Sequence, residues 1–197
     1  VIKIFIDCGF HHGEGLRSFI ESKVIDNETI IYAFEPNPAC NLINRAKIII
    51  QQYNVLLHCI DRAVWISDGE IEFLQEDHTK SQTGSPHDGY SNIDGWGSSL
   101  KEVNSNHPGY CDSINVKCLD FSKFLQRLPK AYITCKMDIE GSEYAVLRHL
   151  INQGTISKIN ELYIEFHARF IEKESNESEI ELIEVIQKSG VKVHWWI

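Results

Sequence analysis

Residues 2–15, Ile-Lys-Ile-Phe-Ile-Asp-Cys-Gly-Phe-His-His-Gly-Glu-Gly, constrain the fold of this chain more than any other stretch. Ile2, Ile4, Phe5 and Ile6 form a short apolar run. Its β-branched and aromatic content suits a strand buried on both faces, as in a parallel sheet. The run stops at Asp7, and glycines follow at 9, 13 and 15. Leu16, Phe19 and Ile20 then recur at i, i+3, i+4 spacing, which predicts a helix. Strand, glycine turn and helix make the usual seat for an adenosine-containing ligand, because glycine lets the ligand approach the backbone. A dinucleotide site has the spacing G-x-G-x-x-G. Here the pattern is Asp7-x-Gly9-x-x-x-Gly13, with a carboxylate where a pyrophosphate site would avoid one. An acid beside the turn suits a cationic ligand, and S-adenosylmethionine carries both a sulfonium and an ammonium. The other reading of the same residues is a glycine-rich connection that binds nothing.

Downstream, Ile30-Ile-Tyr-Ala-Phe predicts a second buried strand closed by Glu35-Pro36-Asn37-Pro38. Glu35 falls about 20 residues past the glycine turn, where a doubly wound fold places the carboxylate that grips a ribose. Taken without that turn, it would read as a solvated loop residue. Pro38 is suited to open the next helix, whose apolar stripe is Leu42, Ala46, Ile49 and Tyr53. A third strand, Val55 to Ile60, leads to Asp61, and Asp68-Gly69 turns the chain into the alternating strand 70–74. Residues 76–113 break the rhythm: they are rich in Ser, Gly, Asn, Asp and His, with Tyr90, Trp96 and Tyr110 among them. A loop this long suggests a functional segment. Its aromatics suggest a substrate-facing cover. His78, His87 and His107 share no metal-ligand spacing and read as surface residues.

Strand patterns return at 114–119 and 132–137, with a short helix between them from about Asp120. The second strand delivers Asp138-Ile-Glu140-Gly141-Ser-Glu143. A helix follows with Gly154 as its stop, then the strand 161–167. Ser178 and Glu181 fit a capping box for a helix ending at Gly190, and Val191 to Ile197 supply a last strand. Alternating strands and helices predict an α/β fold with a mostly parallel, three-layer sheet.

At 197 residues and 43% apolar, the whole of 1–197 reads as a single domain with ample core. A formal net charge of -9 argues against broad binding to nucleic acid or to anionic membrane. No apolar run reaches membrane-spanning length. The six cysteines are widely spread without a C-x-x-C pair, and Cys8, Cys59, Cys118 and Cys135 fall in strand-like runs as small hydrophobes. That pattern suits a reducing, cytoplasmic setting.

Taken together, FIDCGFHHGEG, YAFEPNP, DRAVWISDGEIEF and CKMDIEGSEYAVLRHL, with VKCLDFSKFL and YIEFH, resemble the FkbM family of S-adenosylmethionine-dependent methyltransferases. The resemblance implies a Rossmann-like class I methyltransferase fold, mostly parallel with helices on both faces, and methyl transfer, usually to a hydroxyl. Asp7, Gly9 and Gly13 match the family's cofactor loop and Glu35 its ribose-binding acid. Asp61 matches the region after the third strand, where this fold commonly contacts adenine. Two residues depart: Phe10 and His11 stand where the family usually has a small residue and Asn. The stretch 76–113 matches poorly, and no seventh strand is evident.

Methyl transfer is an in-line displacement that needs alignment of donor and acceptor and removal of the acceptor's proton. Lys136, Asp138, Glu140, Glu165 and His167 gather where strand ends meet, and i, i+2 spacing predicts that Lys136 converges with Asp138, and Glu165 with His167. Asp138 also borders the cofactor. In one mechanism His167 or Asp138 is the general base and Lys136 stabilises the developing alkoxide. In another, Asp138, Glu165 and His167 bind a divalent cation such as Mg that lowers the hydroxyl's pKa. Glu143 reads as a partner for the following helix N-terminus, Glu140 stays open, and His167 reads equally as a satisfied structural histidine. The expected acceptor is a sugar, glycan or other small hydroxylated molecule. RNA 2′-O-methylation, with Lys136, Asp138 and Glu165 in part of a Lys-Asp-Lys-Glu set, and a cofactor-binding module without turnover are the alternatives.

Overall fold

The structure, a computed structural model, describes residues 1–76, 98–103, 110–168, 171 and 174–196. Six strands form its central sheet: β1 (Lys3–Cys8), β2 (Ile30–Phe34), β3 (Leu56–Ile60), β8 (Tyr132–Met137), β9 (Glu161–Ile164) and β10 (Lys192–Trp195). Their order is β10-β9-β8-β1-β2-β3, and every adjacent pair is parallel. The period-2 alternation of strand side chains sorts the core onto two faces. Phe5, Ile31, Ala33 and Leu57 meet Leu16 and Phe19 of α1 (Glu14–Glu21) and Leu42, Ala46 and Ile49 of α2 (Leu42–Tyr53). Ile4, Ile6, Cys8, Met137 and Ile164 meet α3 (Phe121–Arg127), α4 (Glu143–Asn152) and α5 (Asn176–Lys188) on the other face. This is the Rossmann-like α/β arrangement that the sequence predicts.

The order of the strands locates a crevice. From β1 the chain steps outward to β2 and β3, then returns to β8 on the other side of β1 and steps outward again to β9 and β10. The winding therefore reverses between β1 and β8, and open α/β sheets bind ligands at the carboxyl ends beside such a reversal.

A second sheet departs from the single-sheet expectation. It contains β4 (Ala63–Trp65), β5 (Gly69–Glu76), β6 (Ser99–Leu100) and β7 (Tyr110–Asp120), in the order β4-β7-β5-β6. The pairs β5–β7 and β5–β6 are antiparallel, and Phe73, Leu100, Val116 and Cys118 carry its inner face into the core shared with α3 and α4. β4 and β6 have three and two residues, too short to show a period. Of the segment 76–113, residues 77–97 and 104–109 lie outside the described residues, and with them His78, His87, Tyr90, Trp96 and His107.

Two helix starts also differ from expectation. α5 is capped by Ser175, whose hydroxyl accepts from the Ser178 N–H while the Ser178 hydroxyl accepts from Ser175 N–H. The reciprocal box is therefore serine with serine, and Glu181 is not part of it. Pro38 opens a one-turn 3-10 helix (Pro38–Cys40); Asn41, at φ 52°, breaks it, and α2 begins at Leu42. Among the described residues no helix is long and apolar enough to cross a membrane.

Candidate active site

Four acids mark the carboxyl ends of four adjacent strands. Asp138 follows β8, Asp7 is the penultimate residue of β1, Glu35 follows β2 and Asp61 follows β3. The pairing Asp7↔Lys136 lies at the reversal between β1 and β8, so those two side chains share one face of the sheet there.

The glycine turn owes its shape to packing. Gly9 has φ 86°, and a Cβ on it would stand 1.9 Å from the Asp138 carbonyl oxygen, so only glycine lets β1 pass this close to the end of β8. Gly13, also at φ 86°, would place a Cβ 2.7 Å from Ile49 and 2.8 Å from the Phe10 ring. Phe10, buried, occupies the space that Gly13 leaves.

Glu35 is pinned at the mouth of this turn. Its Oε2 accepts from the His11 N–H at 2.7 Å and its Oε1 from the Asn37 N–H at 2.8 Å. Each oxygen keeps a second lone pair for a diol. Burial raises the Glu35 carboxyl above its ordinary value, against the pull of His11 and the two N–H groups. The Asn37 side chain accepts from Gln75 Nε2 at 2.8 Å, and the Ser99 hydroxyl donates to the Glu140 carbonyl at 2.6 Å. The second sheet thus braces the turns on both sides of the crevice. Asp61 is exposed at the end of the edge strand.

Lys136 is buried; its ammonium donates to Gly9 O at 2.7 Å and pairs with Asp138 Oδ2 at 3.2 Å and Asp7 Oδ1 at 3.4 Å. Burial pulls its ammonium down, but Asp138 and Asp7 outweigh that and hold it above its ordinary value. Lys136 thereby ties Asp138 to the turn that follows β1. Asp7 is fully buried, and neither carboxylate oxygen makes a well-formed hydrogen bond. Burial lifts its pKa to about 6, against the Lys136 charge.

Asp138 links this group to His167, whose Nε2 lies 3.9 Å from Asp138 Oδ1, 3.5 Å from Glu140 Oε2 and 3.6 Å from Glu165 Oε1. Nδ1 of His167 meets Glu143 Oε1 at 3.1 Å. Burial lowers the imidazole, but Glu143, then Glu140 and Asp138, raise it to about 10. A ring held that high favours its protonated form in neutral solution. Glu140 is pushed well above the carboxylate range, chiefly by burial.

Residues 7–191 match the family described as Methyltransferase FkbM domain. The chain belongs to the FkbM methyltransferase family. The crystal structure of methyltransferase FkbM from Methylobacillus flagellatus KT is similar at 15% identity and a TM-score of 0.44, covering 80% of this chain and 30% of that one. This chain therefore spans under a third of that relative's length. No curated protein matches it.

In this FkbM chain the departures at Phe10 and His11 have local reasons. Phe10 fills the hollow over Gly13, and His11 sits at φ 50° with its N–H on Glu35. The structure gathers Lys136, Asp138, Glu140, Glu165 and His167, and it adds Glu143 to them. Glu143 does what an acid at a helix start is expected to do, accepting from the Ile139 and Gly141 N–H groups. Its further contact with His167 leaves no local sequence signal, because 24 residues separate the two. Asp138, Glu143 and His167, rather than Asp138, Glu165 and His167, have ligand atoms within 4.8 Å of one another.

Proposed function

We propose that this chain transfers a methyl group from S-adenosylmethionine to a hydroxyl of a sugar or other small molecule. The observation that supports it most is the row of carboxylates at the ends of β8, β1, β2 and β3, across the winding reversal. Such a row suits a donor carrying two positive charges and a ribose diol: Glu35 for the diol, Asp61 beside the base, and Asp7 and Asp138 as the negative field for the cationic end. When bound, the donor supplies an electrophilic methyl carbon on sulfur.

The remaining work falls to this chain's side chains. Asp138, partly exposed and fixed by Lys136, accepts the hydroxyl proton. His167, held as an imidazolium among Glu143, Glu140, Glu165 and Asp138, keeps those carboxylates apart and sets the direction of Asp138. A divalent cation on Asp138, Glu143 and His167 is a second way to balance this acidic pocket, since its two carboxylates suit Mg or Mn. The wide spread of the cysteines, without a C-x-x-C pair, suits a reducing, cytoplasmic setting. The net charge of -9 disfavours RNA as the acceptor.

The test is transfer of isotopically labelled methyl from S-adenosylmethionine to a panel of sugars, glycans and small alcohols, with RNA as a parallel substrate. A methyl ether on a small acceptor supports the reading. Labelling of RNA alone would replace it with 2′-O-methylation, and cofactor binding without transfer to any acceptor would leave a binding module.

A further inference from the structure

The turns after β1 and β2 bring together a second group of ligating side chains that methyl transfer does not use. His11 and His12 come from the first turn and Cys40 from the one-turn helix after Glu35. One ligand atom of each lies within 4.8 Å of the others. His12 and Cys40 are buried and His11 is 21% exposed at its side chain, so the group opens to solvent on one side. The His11 and His12 rings lie 3.7 Å apart, and the Glu14 carboxylate stands 3.7 Å from Nδ1 of each.

We infer that His11, His12 and Cys40 form a transition-metal site, with zinc as the ion they fit best. Two imidazoles and a thiolate select borderline-soft ions over Mg or Ca, which take oxygen ligands. A tetrahedral zinc, about 2.0 Å from nitrogen and about 2.3 Å from sulfur, holds its donors roughly 3.3–3.6 Å apart. A shift on the order of an ångström closes the cluster to that geometry. Glu14, half exposed at the start of α1, is placed to be the fourth ligand. On binding, the Cys40 thiol loses its proton to solvent and both imidazoles coordinate in the neutral form, so the sum of charge and protons is preserved.

The site lies on both sides of Glu35. His11 donates its N–H to that carboxylate, and Cys40 closes the short helix that follows it. A bound ion ties the two turns that flank Glu35 into one unit, and the chain resists unfolding more strongly when it is present. The cluster around His167 contains no sulfur, so the two groups select different ions and can be told apart by spectroscopy.

Cobalt(II) added to the purified, metal-stripped chain is the probe, because a thiolate on cobalt gives a charge-transfer band in the near ultraviolet. One equivalent should produce that band together with strong visible absorption of tetrahedral cobalt, and zinc should displace both. Cys40→Ser should abolish the sulfur band, whereas Cys59→Ser should leave it intact. His11→Asn, which installs a residue tolerant of positive φ, should keep the fold by circular dichroism and weaken cobalt binding at least tenfold. No sulfur band in the wild type, a band that survives Cys40→Ser, or unchanged affinity in His11→Asn would overturn the assignment.

Discussion

The Lys136 ammonium lies 3.2 Å from Asp138 Oδ2, inside a pocket that leaves the lysine almost no solvent. The same ammonium pairs with Asp7 and holds the Gly9 carbonyl, so one cation serves the buried Asp7, the partly exposed Asp138 and the turn between them. Lys136→Met should therefore destabilise the fold by about 3–5 kcal/mol, the usual result of stranding a buried charge. Urea denaturation measures this, and adding Asp7→Asn should return part of the loss. Full stability in the single variant would mean that Asp7 is protonated, or hydrated, without its help.

His167 gives a pH dependence with a definite sign. Its folded-state pKa is raised from 6.5 to about 10, so the stability it contributes is complete below 6.5 and disappears as pH rises through 10. Asp7, raised from 3.8 to about 6, follows the same rule lower down: its contribution is complete below 3.8 and lost as pH rises through 6. Ring-proton NMR should find one histidine titrating near 10 in the wild type and lower in Glu143→Gln. A ring that titrates near 6.5 in both proteins would contradict the imidazolium.

Gly13→Ala tests the packing account of the glycine turn. The substitution adds left-handed strain at φ 86° and a clash with Phe10, together costing about 1–3 kcal/mol in thermal or urea melts. Phe10→Leu in the same chain should recover only the clash, because the backbone strain stays. Equal stability of Gly13→Ala and wild type would mean that the turn is free to re-form around the new methyl.

Much of this arrangement is legible in the sequence because it follows local rules. Asp120 reads as a helix start, and its side chain does accept from the Lys123 N–H. Gly154 and Gly190 read as helix stops, and both stand at positive φ. The i, i+2 spacing of Lys136 and Asp138 is enough to predict that they converge. What the sequence hides is non-local. The second sheet depends on strands of two and three residues and on antiparallel pairing of β5 with β7 across a long insertion. His167 meets Glu143 only after a whole helix and strand have folded back, and the protonation of that ring is set by acids of the distant turn 138–143.

The divalent-cation variant of the mechanism has its own signature. Binding of Mg or Mn to Asp138, Glu143 and His167 must expel the imidazolium proton, so calorimetry in two buffers of different ionisation enthalpy should show proton release. Turnover should then vanish in chelator while S-adenosylhomocysteine still binds. Full turnover in chelator would leave Asp138 to act without a metal.

Everything rests on Glu35 and the glycine turn forming the seat of the methyl donor, and calorimetric titration of S-adenosylhomocysteine into the wild type and Glu35→Ala tests that directly. Losing a charged bidentate partner, worth about 1.5–3 kcal/mol, should weaken binding roughly 10- to 150-fold. No heat of binding in the wild type, or the same affinity in Glu35→Ala, would contradict the account.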